Sequence, residues 1–360
     1  MVSEYFSSDY NEAREKFLRV AGEAGASIEN RLNPNATGPG GEALYTDVAR
    51  FGPDDAKNAL VIISGTHGNE GFCGSGCQIG YLKEGLHQNR SEETALIFVH
   101  AMNPYGFANV RRVTEDNVDL NRNFVDHSKP YPVNAAYEEI HQFAVPKVWA
   151  GGGLEEANRG LAAYAQKNGA MALQGAVSGG QHTHPDGVFF AGTAPTWSNS
   201  ALRSIISDHM SDVDHVALID FHTGLGPNGH GELILNGDFR GSCERAQSWY
   251  NNEVTSFEDG SSTSAKLTGM MCFAFLDVFA PEQLTGIAVE YGTYDVNTVL
   301  TAMRFDNWIN LYETPGSDLW NEGKKAIRDA LYCDNDEWKA MVYERATWVL
   351  DHAYQGLKTV

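Results

Sequence analysis

Apolar runs that end in polar residues, separated by stretches of helical spacing, predict an α/β chain with helices on both faces of a largely parallel or mixed sheet. Three runs carry that expectation: residues 59–63, 215–222 and 286–292. Each is rich in aliphatic residues, and each leads into a Gly-containing turn or ends on glycine. The composition is ordinary for a globular protein, 42% hydrophobic and 20% charged over 360 residues, so disorder is not expected.

Residues 10–24 show helical apolar spacing and lead into a Pro/Gly-rich turn at 33–41. Residues 43–51 alternate as an edge strand does and run into the buried strand 59–63. The small residues over 72–82 suit a helix packed closely on a sheet. A third strand at 95–101 ends at Asn103-Pro104, and residues 105–132 follow as a long loop. Helices are predicted at 134–148 and 154–167. Residues 175–197 are rich in Gly, His and Pro and lack periodicity, which predicts a functional loop. Residues 198–210 then read as a helix with a serine cap. After the strands at 215–222 and 286–292, everything from Asp295 onward has a helical pattern. No repeat or domain boundary interrupts the chain. Residues 1–360 are therefore expected to form a single catalytic domain with a helical C-terminal region at about 295–360.

The formal charge of −21 argues against nucleic acid or an anionic membrane as a general partner. No basic segment followed by an apolar one opens the chain, so no secretory signal is expected. The longest apolar stretch, near 270–280, contains Asp277 and is too short to span a bilayer. The odd set of cysteines, Cys73, Cys77, Cys243, Cys272 and Cys333, reads as reduced thiols in a cytoplasmic protein. Cys73 and Cys77, one helical turn apart, are expected as small packing residues.

The strand at 59–63 ends in Ser64-Gly65-Thr66-His67-Gly68-Asn69-Glu70-Gly71, which sets an imidazole and a carboxylate three residues apart. Open α/β sheets bind ligands beyond the carboxyl ends of their strands. The strand at 215–222 ends in His222 and the strand at 286–292 carries Glu290, so three strands deliver His67, Glu70, His222 and Glu290 to one rim. A catalytic zinc site needs two nitrogen ligands, a carboxylate and an open position. His67, Glu70 and His222 meet that count and leave Glu290 as general base. The loop Arg111-Arg112-Val113-Thr114-Glu115-Asp116-Asn117-Val118-Asp119-Leu120-Asn121-Arg122-Asn123-Phe124 adds arginines and an asparagine able to grip a carboxylate and polarise a carbonyl. Asp119 is placed to accept a ligand imidazole N–H. His182, Thr183, His184, Pro185 and Asp186 read as a pocket-lining loop, with a second metal site as the competing role.

The ordered set His67-x-x-Glu70, Arg112, Asp119-Leu120-Asn121-Arg122-Asn123-Phe124, His222 and Glu290 resembles the zinc carboxypeptidase superfamily, which includes aspartoacylase and succinylglutamate desuccinylase. Ser-Gly-Thr-His-Gly-Asn-Glu-Gly-Phe, Gly180-Gln181 and Trp197-Ser198 look like the bacterial branch described as domain of unknown function 2817. The resemblance implies a mixed eight-stranded sheet between helices and a Zn²⁺ cofactor on His67, Glu70 and His222. It also implies Glu290 as base, Arg112 as carbonyl polariser with adjacent Arg111 as its alternative, and Asn121 with Arg122 as carboxylate clamp. Tyr291 and Tyr294 are the candidates for a tyrosine that closes over substrate, with core packing the competing role. The expected activity is hydrolysis of an amide bond next to a free carboxylate in a small peptide. An N-acyl-amino-acid deacylase and a non-catalytic metal- or ligand-binding protein are the alternatives. The deacylases add a β-rich C-terminal domain, which the helical pattern after Gly292 does not match.

Overall fold

The computed structural model describes residues 2–89, 93–236 and 239–360, and in it the predicted alternation resolves into an eight-stranded sheet. Its strands are β1 (Ser27–Thr37), β2 (Ala43–Phe51), β3 (Asn58–Ile63), β4 (Thr94–His100), β5 (His215–Gly224), β6 (Gly231–Leu235), β7 (Val254–Thr255) and β8 (Leu284–Gly292). They lie in the order β1-β2-β4-β3-β5-β8-β6-β7. The central strands β4, β3, β5 and β8 are parallel. β1 and β2 add antiparallel pairs on one side; on the other, β6 is antiparallel to β8 and parallel to β7. The sheet is mixed, with a parallel centre.

The helices are α1 (Tyr10–Glu23), α2 (Gly71–Lys83), α3 (Pro104–Ala108), α4 (Ala135–Ala144), α5 (Gly153–Asn168) and α6 (Ala170–Ser178), followed by α7 (Trp197–His209) and α8 (Phe239–Trp249). Then come α9 (Phe273–Leu276), α10 (Val296–Tyr312), α11 (Asp318–Leu331) and α12 (Asp336–Leu357). Among the described residues, none of them is long and apolar enough to cross a membrane. All five cysteines are free thiols.

The two-residue period of a strand sorts side chains between the faces of the sheet. Leu60, Ile62, Ala217, Ile219, Phe221, Ile287 and Val289 enter the core that includes residues of α1, α2 and α12. Ala59, Val61, Ile63, Val216 and Leu218 enter the core shared with α7 and α9. By the same parity Asp220, His222 and Glu290 belong to the second face, whereas Tyr291 follows Val289 into the first core. Parallel strands end together, so β3, β5 and β8 bring their carboxyl ends to one rim, with His222 in register with Glu290. A third apolar cluster, with Tyr137, Leu161, Val177, Phe189, Val299 and Leu331, packs α4, α5, α6, α10 and α11 together.

Several elements differ from expectation. Residues 33–37 are not a turn but the end of β1, an outermost strand, where Pro34 can sit because no ladder partner needs its missing N–H. β2 is therefore covered on both sides rather than an edge. Residues 105–132 include most of α3 and a 3₁₀ turn at Leu120–Arg122, and α6 runs to Ser178, into the region 175–197 predicted as a loop. α7 is capped by Thr196, whose side chain accepts the Asn199 N–H, and not by a serine. The short strands β6 and β7 had no sequence signal.

Candidate metal centre

After β3 the chain turns through residues 64–67 into a 3₁₀ turn, Gly68–Glu70, that leads directly into α2. The turn folds Glu70 back so that Oε1 lies 2.9 Å from His67 Nδ1. It is pinned to the arginine loop by the Gly68 and Asn69 N–H groups, which donate to the carbonyls of Arg112 and Arg111. The fit is backbone to backbone: a Cβ on Gly68 would fall 2.1 Å from the Gly106 carbonyl carbon. β5 brings His222 Nδ1 to 3.2 Å from both His67 Nδ1 and Glu70 Oε2. All three side chains are buried.

The outward nitrogens of both rings face carboxylates. His222 Nε2 lies 2.7 Å from Asp220 Oδ2, and His67 Nε2 lies 3.2 Å from Asp119 Oδ1. Asp220 is held in turn by the Thr66 hydroxyl at 2.8 Å. With its Nε2–H on Asp220, His222 turns Nδ1 toward Glu70 and His67, where a neutral ring would offer its lone pair. Electron-rich atoms converge this closely only around a proton or a cation. Two imidazole nitrogens and one carboxylate, backed by carboxylates, suit zinc better than the all-oxygen shells of Mg²⁺ or Ca²⁺. The residues present therefore fit the metal that the sequence implies.

The charges agree with that fit. Burial works against ionisation of Glu70, but His67, His222 and Arg112 overcome it and hold the carboxyl well below its ordinary range. Burial also opposes a charged His222, yet Asp220 and Glu70 hold its pKa well above the usual imidazole value. The pocket favours positive charge at its centre. Glu290 behaves differently: burial, and then the nearby Glu70 charge, push its pKa up to about 7. Its Oε1 accepts the Leu225 N–H at 2.9 Å.

His67, His222, Glu290, Arg112, Asn121 and Arg122 all line one cavity of about 610 Å³. Arg112 bonds Glu70 Oε1 at 2.9 Å and Asp119 Oδ2 at 3.0 Å, and its Nη2 lies 2.8 Å from His67 Nε2. Asn121 Oδ1 accepts the Met271 N–H, which leaves Nδ2 to donate. Arg122 donates from Nε to the Ser178 carbonyl and from Nη1 to the Asn121 carbonyl. Burial lowers its pKa to about 10.

The family model described as "Protein of unknown function (DUF2817)" matches residues 6–345. The chain belongs to the DUF2817 family. No curated protein matches it. Among solved structures, this DUF2817 protein is similar to thrombin activatable fibrinolysis inhibitor at 13% identity and a TM-score of 0.52, covering 99% of this chain and 76% of that one. A bovine form of that inhibitor, in complex with tick carboxypeptidase inhibitor, matches at 12% identity, TM-score 0.45 and full coverage of both chains. Carboxypeptidase A from Helicoverpa armigera matches at 12% identity and TM-score 0.43, covering 96% of this chain and 74% of that one. At such identities the likeness is one of fold: the mixed eight-stranded sheet between helices resembles that of thrombin activatable fibrinolysis inhibitor.

Some site candidates of this DUF2817 protein lie elsewhere. Arg111 turns away from the cavity, its Nε 3.3 Å from Asp306 and its Nη2 bonded to Asn117. That leaves Arg112 as the arginine of the pair beside His67 and Glu70. Tyr291 is fully buried against Phe221 on the opposite face of the sheet and cannot close over a substrate. Tyr294 is half-exposed beside α10 and α11, outside this cavity. His182 stacks on Tyr131 and donates from Nδ1 to the Gly192 carbonyl, and neither it nor His184 lines the cavity.

Two contributors escaped the sequence reading. Asp220 orients His222; alternate strand positions share a face, so the spacing Asp220-Phe221-His222 carries a signal for it. Phe189 lies over the guanidinium groups of Arg112 and Arg122, at 5.1 and 5.5 Å, with a backbone φ of 52° that bulky residues rarely adopt. Nothing local in the sequence marks that role.

Proposed function

We propose that this protein is a zinc-dependent hydrolase that cleaves an amide bond adjacent to a free carboxylate, in the manner of a carboxypeptidase. One observation carries the reading: the buried His67–Glu70–His222 triangle opens on the same cavity as Glu290, Arg112, Asn121 and Arg122. His67, Glu70 and His222 would hold the metal. Zinc held there would supply a water nucleophile near neutral pH and polarise a carbonyl oxygen.

The remaining work falls to side chains. Glu290, anchored through Oε1 and with a pKa raised to about 7, takes the proton of the attacking water and returns it to the leaving amine. Arg112 carries positive charge to the developing oxyanion. Arg122 Nη2 and Asn121 Nδ2 are the donors left for a substrate carboxylate. Asp119 and Asp220 keep the two imidazoles oriented. The free thiols support a reducing, cytoplasmic setting.

The apolar wall of the cavity, with Leu161, Val177, Phe189, Leu300 and Met303, keeps the deacylase alternative open, since an apolar acyl chain would fit it as well as an apolar side chain. A screen of peptides against N-acyl amino acids with the zinc-loaded protein separates the two. The decisive variant is Glu290→Gln, which keeps size and hydrogen bonding but cannot take up a proton. Its kcat should fall by about 10²–10⁴-fold with zinc content unchanged. Unchanged turnover with zinc retained would overturn the mechanism, and loss of zinc would make Glu290 a ligand instead.

A further inference from the structure

Away from the cavity, α4 and the loop at 179–196 bring together a second set of donors. His141, on the last turn of α4, stacks on His184 of the loop with ring centroids 3.7 Å apart and planes at 18°. Asp186 Oδ1 lies 3.7 Å from His141 Nε2. One donor atom from each of these three residues falls within 4.8 Å of the others. Glu138, one helical turn before His141, stands beside them with Oε2 2.8 Å from His184 Nε2. His141 Nδ1 is buried without a hydrogen-bond partner, and its Nε2 contact to Asp186 is longer than a hydrogen bond.

We infer that His141, His184 and Asp186 form a second divalent-metal site, of the zinc class, that fastens the 179–196 loop to α4. Two imidazoles and a carboxylate select such an ion over Mg²⁺ or Ca²⁺. Tetrahedral bonds of about 2.0–2.2 Å space ligand atoms by roughly 3.4 Å, so donors that lie within 4.8 Å of one another close by up to roughly 1.4 Å, and the His184 ring turns out of its stack on His141 to bring its in-plane lone pair onto the ion. His184 and Asp186 have room for that movement, since their side chains are 26% and 49% exposed. His141 thus has no strong hydrogen bond within the protein that a bound ion would have to break. The site would bear on the cavity through Phe189, which the same loop holds over Arg112 and Arg122.

The test counts ions on the full-length chain after chelator treatment and dialysis against Zn²⁺ alone. Wild type should hold one zinc more than His141→Ala and one more than His184→Gln, the latter keeping polarity in case the alanine variant misfolds. His222→Ala should keep the ion that His184→Gln loses. Hydrogen exchange gives a local readout: at zinc tenfold above the dissociation constant, amides at Gln181 and Ala191 should exchange about tenfold more slowly in wild type and unchanged in His184→Gln. Equal zinc content in wild type and His184→Gln overturns the inference, as does a shared loss of a single ion by His184→Gln and His222→Ala. If wild type holds one ion that depends on His184 and not on His222, this site stands and the proposed catalytic site fails.

Discussion

At the scale of single residues, the centre is decided by which atoms stand behind the imidazoles. Asp220 fixes the His222 ring at 2.7 Å and is itself fixed by Thr66. Asp220→Asn removes the charge without changing the shape, and zinc affinity measured by chelator competition should fall about 10–100-fold. An unchanged affinity would reduce Asp220 to a packing residue. Asp119 was recognisable beforehand because it opens the Asp-Leu-Asn-Arg-Asn-Phe run, whereas Asp220 looked like part of a strand. Arg122 is the second residue-scale test. Arg122→Ala should raise KM for substrates with a free carboxylate and leave blocked, carboxylate-free analogues unaffected, the pattern of a group that binds ground and transition states alike. Equal losses on both substrate types would move the clamp elsewhere.

At the scale of elements, the 3₁₀ turn Gly68–Glu70 and α3 meet backbone to backbone, and no side chain at that contact can yield. Gly68→Ala should therefore push α3 away from the turn and displace Glu70 from the two imidazoles. Overpacking of this kind typically costs about 1–3 kcal/mol. Urea unfolding should show a lower midpoint at unchanged slope, with weaker zinc binding alongside it. Gly269 plays a similar part on the other side: its φ is +66°, and a Cβ there would lie 2.0 Å from the Arg122 carbonyl oxygen. Strand existence and most helices at this scale were legible from periodicity. The exceptions, β1, β6 and β7, lie at the sheet's margins: β1 is polar and largely exposed, β6 is buried at all five positions, and β7 has two residues, so none of them alternates clearly.

For the molecule as a whole, stability should depend on His100, fully buried on β4 with Nε2 2.8 Å from Ser75 Oγ and its ring stacked on Phe17. Burial, assisted by Arg14, holds its pKa down to about 3. In the unfolded chain the same imidazole titrates near 6.5. Between those values the unfolded state binds a proton that the native state does not, so this contribution is complete above pH 6.5 and is lost as pH falls toward 3. The slope is about 1.4 kcal/mol per pH unit. Urea unfolding from pH 4 to 7 should show wild type losing stability more steeply than His100→Gln by about one proton's worth of slope. Parallel curves would mean that His100 is protonated in the native state.

What the sequence by itself determined is the set of candidate side chains and their approximate address. Apolar runs closed by His67, His222 and Glu290 specify strand ends, and parallel strands must end on a common rim, so the convergence follows from local pattern plus topology. The period of two also holds the separation of Glu290 from Tyr291, but the expectation that Tyr291 closes over substrate passed it by, and the fold sends Glu290 to the cavity and Tyr291 to the core. Tertiary structure alone decided the partners. Arg111 and Arg112 are adjacent and chemically identical, and the choice between them rests on Asp306, 195 residues away, which draws Arg111 out of the site. His184 likewise meets His141 rather than its neighbour His182 because α4 packs against that loop. Local sequence sets which atoms are available and which face they take; contacts between distant segments set what each atom touches, because a side chain's free energy depends on neighbours that only the folded chain supplies.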